Sequence, residues 1–416
     1  MKILLIGSGG REHAIARKIA ESPKCETIYC VPGNGGTAFE PKCKNIDIKI
    51  NESSKIVDFC KQNLVDLVVV GPEEPLINGI VDICNAKGIK AFGPSKNAAM
   101  LEGSKTFSKE FMKKYGVKTA KYESFTDYSD ALSYLEKSEF PIVIKADGLA
   151  AGKGVYICED FNSAKIALEE CMVNDVFKGA GKKVVIEEFL QGVEASILSI
   201  TDGKTIIPFV SAKDHKQIFD GGKGPNTGGM GVVSPNPYVT QEVFNDFCKN
   251  IMGKTLEGIK EENFEYKGII FFGVMITAKG CYLLEYNVRM GDPETQSVLS
   301  LMESDFLELI EASLDEKLNK TEVKWRNMYS CNVVLASSGY PGSFKKGLEI
   351  DIKEEAKSNV LIAGGVLENG ILVTSGGRVL SVIGLGKTLE EARRVAYNNI
   401  SNVNFEGKYF RNDIGL

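Results

Sequence analysis

The first hundred residues alternate short runs of branched apolar residues with amphipathic stretches, and this rhythm constrains the fold most. KILLIG at 2–7 and DLVVVG at 66–71 are two of these runs. Strand and helix patterns that alternate at this spacing predict βαβ units and a parallel sheet covered on both faces. Glycines follow the predicted strands, where open α/β sheets bind their ligands. We therefore expect an α/β fold that opens with a Rossmann-like domain over residues 1–102.

The chain has 416 residues, more than one hydrophobic core normally organises, so several domains are expected. The pattern changes at about 122–192 to short strands around a glycine-rich loop, which predicts a small α+β unit. Longer strand candidates follow up to about residue 325. The last stretch, 326–416, combines short strands with one helix and predicts a small C-terminal domain.

Composition excludes several classes of partner. The formal charge of −5 lacks the basic excess of nucleic-acid binding proteins. The apolar run after Met1 is too short for a signal sequence or a membrane span, so we expect a cytoplasmic protein. The ten cysteines are scattered without C-x-x-C spacing, and we interpret them as reduced and mostly buried.

The turn Gly7–His13 follows a predicted strand and opens a helix, as in dinucleotide-binding folds. Glu12 stands where the third glycine of that fingerprint belongs, which disfavours an NAD oxidoreductase. The remaining backbone N–H groups suit a single phosphate. A plain structural turn is the alternative.

The segment 145–155, KADGLAAGKGV, places Lys145 and Lys153 around a glycine-rich loop that includes Gly152 and Gly154. Glycines allow backbone donors to approach an anion closely, and the two ammonium groups supply positive charge. This pattern predicts triphosphate binding, although it is not a Walker A loop. A hairpin turn with solvated lysines is the alternative.

The segment 185–190, VIEEFL, precedes Glu194 and is typical of a strand, a short connector and a second strand. The connector, from Glu187 through Glu188 and Phe189 to Leu190, offers backbone groups to an adenine edge. Glu194 offers a carboxylate to ribose hydroxyl groups. Acidic residues that merely face solvent after a strand are the alternative.

The segment 284–294, LEYNVRMGDPE, predicts a metal site. Glu285 and Asn287 share one strand face at period two, and their oxygens suit Mg²⁺, which takes further oxygens from substrate phosphates. Arg289 continues along that face and can brace a phosphoryl group or a carboxylate. A salt-bridged edge strand is the alternative.

The chain has two histidines, so a histidine-based triad or a multi-histidine metal site is nearly excluded. His215 lies in DHK at 214–216, shortly before the loop GPNTGGMG at 224–231. This loop is rich in donors and poor in apolar anchors, which is typical of a functional loop. A surface Ω-loop is the alternative.

The order of these motifs resembles an ATP-grasp enzyme. The strings VGPEEPL, LEGSKTFSKEF, PIVIKADGLAAGKGV, VIEEFLQGVEAS, KDHK, GPNTGGMG, RMGDPETQ and SGGRVL closely resemble the phosphoribosylamine–glycine ligase family over essentially the whole chain. The resemblance implies an ATP-grasp domain over 103–325, with the α+β unit as its lid. It further implies that ATP drives the union of glycine and 5-phosphoribosylamine, through a glycyl phosphate, in purine biosynthesis.

The resemblance also implies residue roles. Catalysis is assigned to Arg289, Lys145 and Lys105, with the two lysines on the phosphates of ATP, and Mg²⁺ or Mn²⁺ is assigned to Glu285 and Asn287. The substrate set is Gly9, Gly10, Gly71, Pro72, Glu73, Asp214, Lys216, Asn226, Thr227, Arg289 and Arg378. Many ATP-grasp sites have a further acidic metal ligand where this chain has Gly273, so a second metal ion is not implied.

Three rival functions remain from the sequence. Another ATP-grasp ligase, such as a biotin-dependent carboxylase subunit, would share the nucleotide residues, but KDHK and GPNTGGMG disfavour it. A non-catalytic nucleotide sensor could lack Lys145, Glu285 or Arg289, and all three are present. An oxidoreductase is disfavoured by Glu12. We expect a monomer that binds small molecules and neither nucleic acid nor membrane.

Overall fold

The first five strands form the parallel sheet that the sequence predicts. The structure, a computed structural model, describes residues 1–149 and 154–416. The elements of this region are β1 (Lys2–Gly7), α1 (Gly10–Ala20), β2 (Thr27–Pro32), β3 (Cys43–Asn45), α2 (Ser53–Asn63), β4 (Leu67–Val70), α3 (Glu73–Ile77), α4 (Ile80–Ala86), β5 (Lys90–Pro94) and α5 (Lys96–Gly103). The strand order is β3-β2-β1-β4-β5, and every pair is parallel. Ile, Leu and Val of β1 and β4 are buried because helices cover both faces.

A second, smaller sheet follows in the stretch where the sequence predicts an α+β lid, and we call it the lid sheet. α6 (Lys105–Tyr115) precedes it and packs in the core of the first sheet. The lid region then contains β6 (Tyr122–Phe125), α7 (Tyr128–Leu135), β7 (Ile142–Ala146), β8 (Val155–Cys158), α8 (Phe161–Leu168), a π-helical turn (Glu169–Val173) and β9 (Val184–Glu188). The strands are antiparallel in the order β6-β9-β7-β8. This lid sheet has a core of its own, which includes Ile144, Leu168 and Ile186.

The central region extends the first sheet. It contains β10 (Val193–Thr201), β11 (Ile206–Pro208), β12 (Lys213–Asp214), β13 (Gln217–Phe219), β14 (Lys223–Asn226), β15 (Gly231–Ser234), α9 (Gln241–Phe247), a π-helical turn (Cys248–Met252), α10 (Gly253–Glu261), β16 (Tyr266–Thr277), β17 (Gly280–Asn287), α11 (Glu294–Leu301), α12 (Phe306–Leu314) and a 3₁₀ turn (Leu318–Lys320). β16 pairs with β10, with β17 and, through Tyr266 and Lys267, with β5. The parallel and antiparallel parts therefore form one nine-stranded sheet.

The C-terminal region builds a third sheet. It contains β18 (Tyr329–Ser337), β19 (Asp351–Ile352), a 3₁₀ helix (Glu354–Asn359), β20 (Val360–Ile362), β21 (Gly365–Glu368), β22 (Ile371–Thr374), β23 (Arg378–Gly386), α13 (Leu389–Ile400), β24 (Val403–Asn404) and β25 (Lys408–Tyr409). The sheet order is β12-β15-β18-β23-β20, with β25 on β18. β12 and β15 come from the central region, so this sheet crosses the domain limit predicted at 325. The first sheet crosses the limit predicted at 102, because β5 pairs with β16. Both limits stay predictions.

Two expectations from composition can be compared with the fold. In the described part of the chain, no helix has the length and apolar character needed to cross a membrane. All ten cysteines are free, and eight of them are buried. They pack as small apolar side chains, as the sequence predicts.

Candidate active site

β17 carries the predicted metal ligands to the centre of the site. Glu285 and Asn287 are half-buried on one face of the strand, and Tyr286 between them is buried on the other face. Nδ2 of Asn287 donates to the main-chain oxygen of Tyr286 at 3.0 Å, so the amide oxygen is left for another partner. A carboxylate and an amide oxygen on one face are hard ligands suited to Mg²⁺.

This pair fits a metal that completes its shell from a nucleotide. Among residues 1–149 and 154–416, no three His, Cys, Asp or Glu side chains converge as a metal site. An ion at Glu285 and Asn287 would therefore take its other ligands from water and phosphate oxygens, which is the usual habit of Mg²⁺. Gly273 faces Glu285 directly across the β16–β17 ladder, so the second acidic ligand seen in many ATP-grasp sites has no counterpart at that position.

A β-bulge in β17 provides an anchor for Lys145. Gly273 pairs with Glu285 and Val274 with Leu283, so Leu284 is the extra residue. Nζ of Lys145, on β7 of the lid sheet, donates to the carbonyl of Leu284 at 3.3 Å. The bulge therefore brings the lid sheet and β17 into contact at the predicted phosphate lysine.

Glu187 pairs with that lysine inside the protein. Its Oε1 lies 2.9 Å from Nζ of Lys145, an ion pair without the alignment of a hydrogen bond. Burial opposes the charge of Glu187, but Lys145 and then Lys109 outweigh it and lower its pKa. The side chain is 2% exposed, so any adenine contact at this residue would come from its backbone. Glu188 and Phe189 are exposed and Leu190 is half-buried, and their adenine role stays a prediction.

Lys105 is the first residue of α6 and lies among the charges of the site. Burial lowers its pKa, which the carboxylate of Glu285 opposes and the ammonium of Lys145 reinforces. The structure thus brings Lys105, Lys145 and Glu285 together, as expected for a phosphate and metal site.

Lys109 belongs to the same charged cluster and was missed by the sequence reasoning. It lies one turn after Lys105 on α6, and its Nζ is 3.2 Å from Oε2 of Glu187. Burial lowers the pKa of Lys109 to about 8 against the opposing Glu187 carboxylate. The spacing of four residues from Lys105, on one helix face, was the available signal.

Arg289 follows β17 and is held by two carboxylates. Its Nε donates to Oε2 of Glu73 at 3.1 Å, and its Nη2 lies 2.8 Å from Oε1 of Glu102. Nη1 donates to the carbonyl of Met290 at 3.2 Å. A guanidinium has five N–H groups, so two are left for a substrate. Burial opposes its charge, but Glu102 and then Glu73 raise the pKa of Arg289.

Glu102 was also missed. It is buried at the end of α5, and its Oε2 accepts the backbone N–H of Val288 at 2.7 Å. Burial raises the pKa of Glu102 against the attraction of Arg289. Burial also opposes the charge of Glu73, but the guanidinium groups of Arg289 and Arg11 outweigh it and lower the pKa of Glu73. Glu73 therefore supports Arg289, and its predicted contact with substrate stays a prediction.

The glycine turns after β1 and β4 close around Glu12. Its Oε2 accepts the N–H of Gly9 at 2.6 Å, and its Oε1 pairs with Nε of Arg11 at 2.6 Å. A Cβ at Gly71 would lie 2.1 Å from Glu12 Oε1, and one at Gly7, where φ is +126°, would lie 2.4 Å from its Cγ. The residue that breaks the dinucleotide fingerprint thus fills the turn and already accepts one donor that was predicted for phosphate.

Asp214 lies in a second charged group with Lys216 and Glu294. Nζ of Lys216 is 3.3 Å from Oδ2 of Asp214, whose side chain is 6% exposed. Its buried Oδ1 accepts no hydrogen bond from the described residues. Burial raises the pKa of Asp214 against the Lys216 ammonium, and burial followed by Asp214 raises the pKa of Glu294. Glu294, whose Oε1 accepts the Ser196 hydroxyl at 3.0 Å, was not predicted.

The loop GPNTGGMG packs over this group. The Thr227 hydroxyl donates to Lys216 O at 2.7 Å and accepts the Gly229 N–H at 2.9 Å, so it shapes the loop. Nη1 of Arg378 donates to Gly228 O at 2.5 Å and to Asp292 O at 2.9 Å. Arg378 reaches the site from the C-terminal sheet as predicted, and it holds this loop against the turn before α11.

The remaining predicted residues divide by location. Gly152 and Lys153 lie outside the described residues, and Gly154 accepts the N–H of Ala146 at 2.8 Å. At the glycine turns, Gly10 is buried and Pro72 is half-buried, whereas Asn226 and Glu194 are exposed.

Comparison with known proteins shows the family to which the chain belongs. Sequence models described as the N, ATP-grasp (A) and C domains of phosphoribosylglycinamide synthetase match residues 1–102, 103–295 and 330–416. The chain belongs to the phosphoribosylglycinamide synthetase family. It is therefore an ATP-grasp ligase, and the fold implies binding of ATP and use of a divalent metal.

Relatives in this family match over the full length. The phosphoribosylamine–glycine ligase of Clostridium acetobutylicum is 60% identical over 415 residues, which cover 100% of this chain and 99% of that one. The enzyme of the same name from Fusobacterium nucleatum is 50% identical over 420 residues, or 100% and 98% of the two chains.

Solved structures of similar fold include a member of the same family. The crystal structure of phosphoribosylamine–glycine ligase from Thermotoga maritima has a TM-score of 0.88 at 35% identity and covers 100% of both chains. A biotin carboxylase from Campylobacter jejuni, described as a complex with β-γ-ATP, has a TM-score of 0.75 at 15% identity and covers 98% of this chain and 92% of that one. This second likeness concerns the fold alone.

Proposed function

We propose that the chain joins glycine to 5-phosphoribosylamine and releases glycinamide ribonucleotide, ADP and phosphate, as a step of purine biosynthesis. The observation that carries the proposal is the full-length match to relatives named phosphoribosylamine–glycine ligase, at 60% and 50% identity. The charges of the site are consistent with these reactants, because it contains a buried cationic group around Glu187 and a buried acidic group around Asp214.

The cationic group would hold the phosphates of ATP. Lys145, Lys109 and Glu187 together carry one excess positive charge, and Lys105 adds another beside them. Glu285 and Asn287 would hold Mg²⁺ or Mn²⁺. When bound, the ion would neutralise charge on the phosphate oxygens.

The acidic group would take the ammonium group of glycine. Asp214 and Glu294 are buried, and Oδ1 of Asp214 receives no hydrogen bond from residues 1–149 and 154–416. An ammonium supplies both the missing donor and the missing positive charge. Glycine would then be oriented, because its carboxylate must point away from these acids, toward the phosphate lysines and the free N–H groups of Arg289.

The reaction would proceed in two steps. A carboxylate oxygen of glycine forms a bond to the γ-phosphorus as the bond to the bridging oxygen of ADP breaks, and glycyl phosphate results. The amine nitrogen of phosphoribosylamine then attacks the carbonyl carbon, phosphate leaves, and the amine gives up one proton. Alignment of the reactants can supply roughly 7–11 kcal/mol. Lid closure would exclude water from the labile acyl phosphate.

The glycine turns around Glu12 and Gly71, together with the loop at Asn226 and Thr227, are proposed to seat phosphoribosylamine. We propose, as expected from the sequence, that the active unit is a monomer, which sedimentation velocity at assay concentrations would test.

Measurement of ADP release with each substrate omitted tests the function. We expect release only when ATP, glycine and phosphoribosylamine, formed in the cuvette from ribose 5-phosphate and ammonia, are all present. Glycine labelled with ¹⁸O in its carboxylate should transfer one labelled oxygen to the released phosphate. Robust turnover with bicarbonate, or none with the complete mixture, would refute the proposal and favour a carboxylating relative.

A further inference from the structure

Lys109 is a buried cation that the reaction described above does not use directly. Its side chain is 3% exposed, and it lies on α6, which belongs to the body of the protein and not to the lid sheet. A lysine is rarely buried to this extent unless its charge has partners. Lys109 has two such partners, Glu187 and the Thr119 hydroxyl.

Glu187 is shared between two lysines that come from different parts of the fold. Lys109 lies 3.2 Å from Oε2, and Lys145 lies 2.9 Å from Oε1. On the lid sheet, Lys145 pairs with Val185, so Lys145 and Glu187 are diagonal neighbours on adjacent strands. Oε2 of Glu187 thus pairs with Lys109 on α6, and Oε1 pairs with Lys145 on the lid sheet.

A second contact fixes Lys109 to the metal-binding strand. Its Nζ donates to the Thr119 hydroxyl at 2.7 Å, and that hydroxyl donates to the carbonyl of Leu283 at 2.6 Å. The next carbonyl, of Leu284, accepts Nζ of Lys145 at 3.3 Å. Lys109, through Thr119, and Lys145, directly, are therefore held by the carbonyl groups of two consecutive residues of β17, just before Glu285.

We propose that Lys109 is a positioning residue: by holding Glu187 between two ammonium groups, it keeps the charge of Lys145 available for the phosphates of ATP. Without Lys109, Lys145 would be the one close cation left to Glu187 among the described residues, and Glu187 would neutralise it. With Lys109, the three side chains keep one net positive charge that the nucleotide can match. The proposal rests on the phosphate role of Lys145 in the proposed function.

Binding of two ligands without glycine or phosphoribosylamine tests this inference separately from the ligase reaction. Dissociation constants for a non-hydrolysable ATP analogue and for adenosine would be measured by calorimetry on the full chain. For Lys109→Met we expect binding of the analogue to weaken about tenfold, the loss of a charge-assisted contact, with adenosine within twofold. Lys109→Arg should recover most of the loss.

Two comparisons separate positioning from general damage. Lys113→Met changes an exposed lysine one turn further along α6 and should bind both ligands like the parent chain. In a Glu187→Gln background the Lys109→Met change should matter much less, because the carboxylate that would capture Lys145 is gone.

Three results would overturn the inference. They are unchanged binding of the analogue by folded Lys109→Met, equal weakening of analogue and adenosine, and an undiminished effect in the Glu187→Gln background. If Lys109→Met does not fold, Thr119→Val, which removes one hydrogen-bond partner of Lys109, decides instead. We expect it to weaken the analogue about threefold and adenosine not at all, and an unchanged analogue affinity refutes the inference.

Discussion

Replacing Glu102 by glutamine tests how far catalysis depends on the carboxylates that hold Arg289. Glutamine keeps the size of the side chain and one acceptor oxygen. Glu102 accepts the N–H of Val288 at 2.7 Å with one oxygen and lies 2.8 Å from Nη2 of Arg289 with the other. The NH₂ group of glutamine is a donor and cannot accept a hydrogen bond, so it would face either the Val288 N–H or the Arg289 guanidinium. One of the two contacts is therefore lost.

The magnitude follows from the kind of contact. A hydrogen bond to a charged group is worth about 1.5–3 kcal/mol. If the transition state feels the full loss, kcat/KM falls by about 10- to 150-fold, since about 1.4 kcal/mol corresponds to a factor of ten. Arg289 keeps Glu73 at 3.1 Å and Met290 O at 3.2 Å, so the side chain should stay in place with a changed orientation.

The assay is the initial rate of ADP release at varied glycine and saturating ATP. Glu74→Gln, an exposed neighbour of Glu73 on α3, is the matched control and should stay within twofold of the parent. Because burial raises the pKa of Glu102, the parent enzyme should also lose kcat/KM as the pH falls through that raised value. The variant should lack this acidic decline. A folded Glu102→Gln protein with parental kcat/KM and the same pH profile would refute the reasoning.

Three further predictions follow from the site and its surroundings. Gly229→Ala should raise the KM for glycine at least several-fold in steady-state assays, because φ is +112° and a Cβ would lie 2.6 Å from Asp214 Oδ1 and 2.5 Å from Pro293 Cδ. Burial lowers the pKa of His215 to about 4, with Arg411 and Lys213 adding to this and Gly231 O and Asp413 opposing it, so the unfolded chain binds the proton first. The free energy of unfolding should therefore decrease by at most about 3 kcal/mol as the pH falls from 6.5 to 4, and this group should not affect it above pH 6.5. In calorimetry, His215→Asn should show a weaker dependence of stability on pH in that range. Removal of divalent ions by EDTA should abolish ADP release and added Mg²⁺ should restore it, whereas activity that persists in EDTA would contradict a metal role for Glu285.

Local patterns were sufficient for part of the site. The period of two in β17 correctly places Glu285 and Asn287 on one face, with Tyr286 buried on the other. The βαβ rhythm correctly predicts the parallel sheet, because buried parallel strands are continuous apolar runs. Both features depend on residues close together in the chain, where periodicity is visible.

The partners that hold the charged side chains could not be predicted in this way. Glu102 meets Arg289, and Lys109 meets Glu187, across long stretches of chain, and nothing in the local spacing of either residue indicates its partner. Likewise, the β5–β16 pairing that merges two sheets joins Pro94 to Tyr266. Such contacts depend on tertiary packing, which a single sequence does not display.

Glu12 illustrates a different limit. As a departure from the glycine fingerprint it was interpreted only as a missing glycine, an argument against dinucleotide binding. In the fold its carboxylate occupies the space beside Gly7 and Gly71 and accepts the N–H of Gly9. The glycines are therefore required by the side chain packed against them as much as by any ligand.

The opposite charges of the two buried groups account for the direction in which glycine must lie. Around Glu187 the excess charge is positive, whereas around Asp214 two buried acids share the single ammonium group of Lys216, and burial raises the pKa of both acids. A zwitterion placed between them has one favourable orientation, with its carboxylate toward the phosphate lysines and its ammonium toward the acids. In the proposed reaction this orientation would present a carboxylate oxygen to the γ-phosphoryl group and keep the competing amine of glycine away from it. The same arrangement that binds glycine would thus determine which of its two ends is phosphorylated.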